Sequence, residues 1–118
     1  MRQPPSIDSY GAGGFRVSGL WRPGSLLLLD DTPTDWRPRT LADLRAEDFT
    51  AVVKAGPAVS EFVLLGMGPA QSLPPRPVRE ALQRGGLGLE FMSTEAAVRV
   101  YRVLLSEGRR MAVALIAV

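Results

Sequence analysis

The chain has 118 residues, 14 basic and 12 acidic side chains, a net charge of +2, and neither cysteine nor histidine. That composition excludes thiol nucleophiles, thiolate metal sites, imidazole bases and disulfide frameworks, and argues against structural zinc. The length suits one domain, 1–118, burying roughly two-thirds of the surface its unfolded form exposes.

In chain order, residues 1–6 read as a loose tail. Ile7 to Tyr10 and Phe15 to Ser18 are short extended segments around Gly11, Gly13 and Gly14, which predicts an N-terminal β-hairpin with positive φ angles in its loop. Ser25 to Leu29 is a leucine run set between Pro23-Gly24 and Asp30-Asp31 and reads as a strand. Thr32 to Arg39 is an irregular or edge segment in which Trp36 covers the core. Ala46 to Ala55 reads as a short helix with Glu47 and Asp48 in its first turn, Phe49, Val52 and Val53 on its buried face, and Gly56-Pro57 as its stop. Phe62 to Leu65 is a short buried strand ending at Gly66. A proline-rich loop leads to a helix near Pro77 to Arg84, ended by Gly85 and Gly86.

Leu89 to Met92 follows as a strand, with Ser93 as N-cap of a helix from Thr94 to Glu107. On that helix Glu95, Arg99, Arg102 and Ser106 form one narrow polar stripe, so every other position should face protein. Gly108 supplies a left-handed C-terminal turn, and Arg109 and Arg110 lead into a strand, Met111 to Val118, that is apolar throughout. A strand without polar alternation must be covered on both faces, which makes the chain α/β, layered, with helices packed on a sheet.

Functional signals are sparse. Thirteen of the 14 basic residues are arginines, yet they are dispersed and no aromatics interleave them, so nucleic acid is not a partner the sequence favours. Lys54, the sole lysine, sits in a charged helix end and reads as a surface residue. Gly11 to Gly14 shares glycines with a dinucleotide fingerprint, but no helix opens after it and Arg16 stands where the last glycine belongs. Gly66-Met67-Gly68 is better placed, after a buried strand, although Pro69 lacks an amide donor. Arg16, Gly66, Gly68 and Arg110 are the candidate ligand-binding residues, for an anion at the sheet edge; Arg99 and Arg102 are the candidate partner surface. No catalytic residue, metal ligand or cofactor is assigned. The first ten residues form no secretory signal, and the longest apolar run, eight residues, falls short of the roughly 20 that span a membrane, so the expectation is a cytoplasmic protein without membrane insertion.

Several stretches together carry a resemblance. They are Tyr10 to Val17, Gly24 to Leu28, Trp36, Leu64 to Gly68, Met92 to Ala97, Tyr101, Leu104, Glu107 to Arg110, and Ala114 to Ile116. In this order and spacing they resemble a small family of unknown function that includes mitochondrial complex I (NADH:ubiquinone oxidoreductase) assembly factor 3 and single-domain bacterial and archaeal proteins. The chain departs from that pattern at Met67, where the resemblance leads one to expect Thr, and at Arg102, where it leads one to expect Asn. The resemblance implies a three-layer α/β fold with a central mixed sheet, and a role carried out by binding partner proteins. The resulting expectation is a non-enzymatic adaptor or assembly factor, monomeric or homodimeric. The alternative is a small-molecule binder or enzyme with an anion pocket near Gly66 to Gly68.

Overall fold

The computed structural model describes residues 3–118, which form eight strands in two sheets. Strands β1 (Ile7–Gly11), β2 (Gly14–Val17) and β3 (Leu20–Pro23) make an antiparallel meander. Strands β4 (Ser25–Leu29), β5 (Thr32–Trp36), β6 (Phe62–Gly66), β7 (Gly88–Met92) and β8 (Met111–Leu115) make a mixed sheet in the order β5-β4-β8-β6-β7.

Two-residue loops close the hairpins at Ala12-Gly13, Ser18-Gly19 and Asp30-Asp31, and all six residues have positive φ. Such loops match the right-handed twist of the strands they join, at a cost wherever a residue other than Gly or Asn must adopt the left-handed conformation. Ala12, at φ 53° and exposed, carries that cost without compensation. Ala12→Asn is therefore expected to stabilise the fold by about 0.5–1 kcal/mol, read as a higher urea midpoint at unchanged m-value. The N-terminal hairpin expected from the sequence is present, extended by β3 into a meander. β3 gave no strand signal because Leu20, Trp21 and Pro23 are all exposed and show no apolar alternation.

The mixed sheet is built by two crossovers. β6 runs through α2 (Arg76–Arg84) to β7, its parallel neighbour, and β7 runs back through α3 (Thr94–Ser106) to β8, parallel to β6 on the other side. Crossovers of one hand that travel in opposite directions lie on opposite faces of a sheet. Accordingly α2 places Val78 and Leu82 against Val63, Leu65, Ala112 and Ala114, whereas α3 places Ala97, Val98 and Tyr101 against Leu64, Val113 and Leu115. The first face is completed by α1 (Thr50–Ala55) and two 3-10 turns, Leu41–Asp43 and Ala46–Phe49; the second by the meander, through Ile7, Phe15 and Val17. β8 is buried at every position, because a core lies on each side of it. The fold is thus a three-layer α/β arrangement around a mixed sheet.

Three local expectations are modified. The segment Ala46 to Ala55 begins as a 3-10 turn, because the Asp48 carboxylate accepts from the Arg45 amide and tightens the entry. Residues 1 and 2 lie outside the described residues, but Pro5 is buried and accepts a hydrogen bond from the Tyr101 hydroxyl, while the Ser18 amide donates to Ser6, so the end of the expected tail is anchored. On α3, Val103 is 59% exposed, so the face left to solvent is wider than the polar stripe.

Candidate functional site

The loop after β6 is the natural place to look for chemistry. β6 and β7 are adjacent and parallel, and their outgoing connections leave for opposite faces of the sheet, the situation that opens a ligand crevice in α/β folds. Here Thr94, fully buried, fills that crevice: its Oγ1 accepts from the Gly68 amide at 2.9 Å and donates to the Ile116 carbonyl at 2.7 Å. The Met67 amide donates to Met92, the Thr94 amide to Gly68 and the Ile116 amide to Gly66. With Pro69 next, the loop presents no free amide between residues 67 and 69 for a phosphate.

The glycines have structural reasons to be there. A Cβ on Gly66 would stand 2.8 Å from Leu115 Cδ2 and 3.0 Å from Thr94 Cα, and Gly68 has φ +94°. In the sequence Thr94 reads only as the first residue of a helix; no local pattern marks a helix-start hydroxyl as the knot between two strand ends.

The four candidate ligand residues are not brought together. Gly66 and Gly68 lie at the C-terminal end of β6, whereas Arg110 immediately precedes β8, whose Met111 pairs with Phe62 at the opposite end of the parallel β6. Roughly 13 Å of strand separates the two ends. The Arg110 guanidinium donates to the Ala58 carbonyl and sits 3.7 Å from Glu61, which Arg109 also approaches to 3.7 Å. Arg16 is on the meander and donates to the Gly19 carbonyl. A shared anion pocket made of Arg16, Gly66, Gly68 and Arg110 is therefore not formed.

The two candidate partner residues also separate. Arg99 is exposed beside Glu95, 3.5 Å away and one turn earlier, whereas Arg102 donates to the carbonyls of Ile7 and Asp8 on β1. Arg102 thus caps carbonyls on the outer edge of the meander, where an unpaired strand would otherwise invite another chain. The polar periodicity of α3 placed it on the solvent stripe, and only the position of β1 assigns its partner.

A charge cluster around Arg37 is structural. Arg37 makes a bidentate pair with Asp48, at 2.7 Å from both carboxylate oxygens, and reaches Asp43 at 2.8 Å, bracing the two 3-10 turns against the strand end that carries Trp36. The Arg37 guanidinium and the Arg39 amide hold the Asp43 carboxyl below its ordinary value of 3.8. Burial pushes the Asp48 carboxyl up, but Arg37 and the Arg45 amide outweigh it and its value also falls below 3.8. Carboxyls with depressed folded-state values contribute stability that is fully present above the unfolded value and is lost as pH falls through the folded one. The stability difference between wild type and Arg37→Met should therefore be constant from about pH 5 to 7 and shrink below 3.8, as followed by urea denaturation against pH.

Beside the Gly68 loop lies a groove of about 510 Å³. Met67 and Ile116 border it together with Leu41, Ala42, Pro69 and Ala70, and Arg39, Thr40 and Ser72 add its polar groups. A smaller cleft of about 250 Å³, at the other end of the sheet, is bordered by Asp30, Asp31 and Arg110. Among the described residues no group of three or more His, Cys, Asp or Glu side chains is arranged to hold a metal ion, and no helix is long and apolar enough to cross a membrane.

Comparison with known proteins gives chain-long matches. An uncharacterised protein of Rhodobacter capsulatus is 36% identical over 93% of this chain and 82% of its own length. NADH dehydrogenase [ubiquinone] 1 alpha subcomplex assembly factor 3 of Rattus norvegicus is 30% identical over 93% of this chain, which spans 59% of the rat protein. The crystal structure of a Bartonella henselae protein described as an outer membrane protein superposes with a TM-score of 0.87 at 32% identity, covering 97% of this chain and 95% of that one. Residues 7–116 match the family described as "Protein of unknown function (DUF498/DUF598)", and the chain belongs to that family.

Proposed function

We propose that this protein is a non-enzymatic adaptor or assembly factor that acts in the cytoplasm through protein-protein contacts, in the biogenesis of respiratory complex I or another membrane complex. The observation that carries this reading is the similarity to the rat assembly factor across 93% of the chain, core and surface strands alike. Two structural features support it. The loop where an α/β protein would hold a nucleotide or phosphate has its amides consumed internally, by Met92 and Thr94. The exposed meander strand β3 carries Leu20 at 72% and Trp21 at 44% exposure, and Trp is among the residue types enriched in the side chains that dominate protein interfaces. Arg16 stands directly across from Trp21 in the register and adds a charged group beside the indole.

Affinity purification of the tagged chain from its native host, membrane fractions included, tests this reading. The expected result is reproducible recovery of subunits of one membrane complex, reduced at least about tenfold by a Leu20→Ser, Trp21→Ala double variant. Reproducible recovery of no protein would contradict it.

A further inference from the structure

We infer that the groove beside Gly68 binds a small monocarboxylate with an apolar body, such as a medium-chain fatty acid, with Arg39 holding the carboxylate. The groove borders the loop after β6, apart from the crevice that Thr94 fills, and its volume of about 510 Å³ falls within the range of small-molecule sites. The partly exposed Leu41 and the exposed Ala42, Pro69 and Ala70 give it an apolar surface, laid over the buried Met67 and Ile116.

Its polar complement points to the head group. Arg39, Thr40 and Ser72 are exposed at its rim, and among the described residues their side chains are engaged by no protein group, so an acceptor entering the groove competes only with solvent for them. Among the described residues Arg39 is the only charged one bordering it, and the nearby Asp43 is occupied by Arg37 and the Arg39 amide. The guanidinium lies beside the backbone of Gly24, its Nη1 3.4 Å from where a Cβ on that residue would stand. One cation matches one negative charge. A phosphate dianion would need further donors, and the amides of Met67 and Gly68 are already committed. The cleft beside Arg110 does not share this chemistry, because Asp30 and Asp31 border it and would repel an anion.

The test is a titration of the full ¹⁵N-labelled chain, followed by amide chemical shifts, with sodium decanoate below its micelle-forming concentration, and with decanol and sodium acetate as comparisons. Saturable shifts confined to residues 39–42, 67–72 and 116–117 are expected with decanoate, with decanol binding at least about tenfold more weakly and acetate not saturating. Arg39→Met, which keeps the apolar stem, should weaken decanoate about tenfold or more, and Ala42→Trp should block it, both with otherwise unchanged spectra. Decanol binding as tightly as decanoate, shifts centred elsewhere, or no saturable shift in the wild-type protein would overturn the inference. The wild-type comparison does not depend on how either variant folds, and it is independent of whether the chain has a protein partner.

Discussion

Replacement of Thr94 by valine is expected to destabilise the fold by about 2–5 kcal/mol, although valine has nearly the same shape and leaves no cavity. The hydroxyl accepts from the Gly68 amide and donates to the Ile116 carbonyl in a fully buried position, so its loss strands one donor and one acceptor at about 1–3 kcal/mol each. Thr94→Ser keeps the hydroxyl and loses only a methyl group, and should cost about 1 kcal/mol. Urea denaturation of the three proteins side by side reads the difference. A loss in the valine variant no greater than in the serine variant would mean that the hydroxyl does not tie the strand ends together.

The second large effect is expected at Phe49. Its side chain is completely buried on the face of the sheet covered by α1 and α2, and its ring meets Trp36 edge to face with centroids 5.5 Å apart. Phe49→Ala should cost about 3–5 kcal/mol, combining lost transfer free energy with the cavity left behind. The indole of Trp36 donates from its Nε1 to the Asp48 carbonyl, so Trp36 cannot collapse into the space without breaking that bond. This places the expected loss at the upper end of the range. The red shift of Trp36 emission should accompany the lower urea midpoint, with Trp21 replaced by Phe in both proteins so that one indole reports.

These expectations show what was legible in the sequence. β8 could be read as doubly covered because every residue from Met111 to Val118 is apolar, and burial of its two faces by two separate cores bears this out. Ser93 could be read as an N-cap because the chemistry is local, and its hydroxyl does accept from the Ala96 amide. The anion pocket failed because strand direction is not local information. Had β6 and β8 been antiparallel, Arg110 would have stood at the Gly66 end; their parallel register puts it beside Phe62. Arg102 shows the same limit. Helical spacing gives its face, but not that the carbonyls of Ile7 and Asp8, some 95 residues earlier, arrive within its reach. Thr94 was missed for a related reason, since its two partners, Gly68 and Ile116, come from segments 26 and 22 residues away.

Taken together, the loop at Gly68 is closed to phosphate, the edge of β1 is capped by Arg102, and the exposed aromatic on β3 is open. On the proposed adaptor role, the chain meets its partner through that surface. Site-specific photocrosslinking in the native host, with a photoreactive phenylalanine analogue at position 21 and, as a comparison, at the exposed position 90 on β7, reads out that contact. A discrete protein adduct from position 21 and none from position 90 is the result expected. Equal adducts from both positions, or none from position 21 in a folded protein, would rule out β3 as the partner surface.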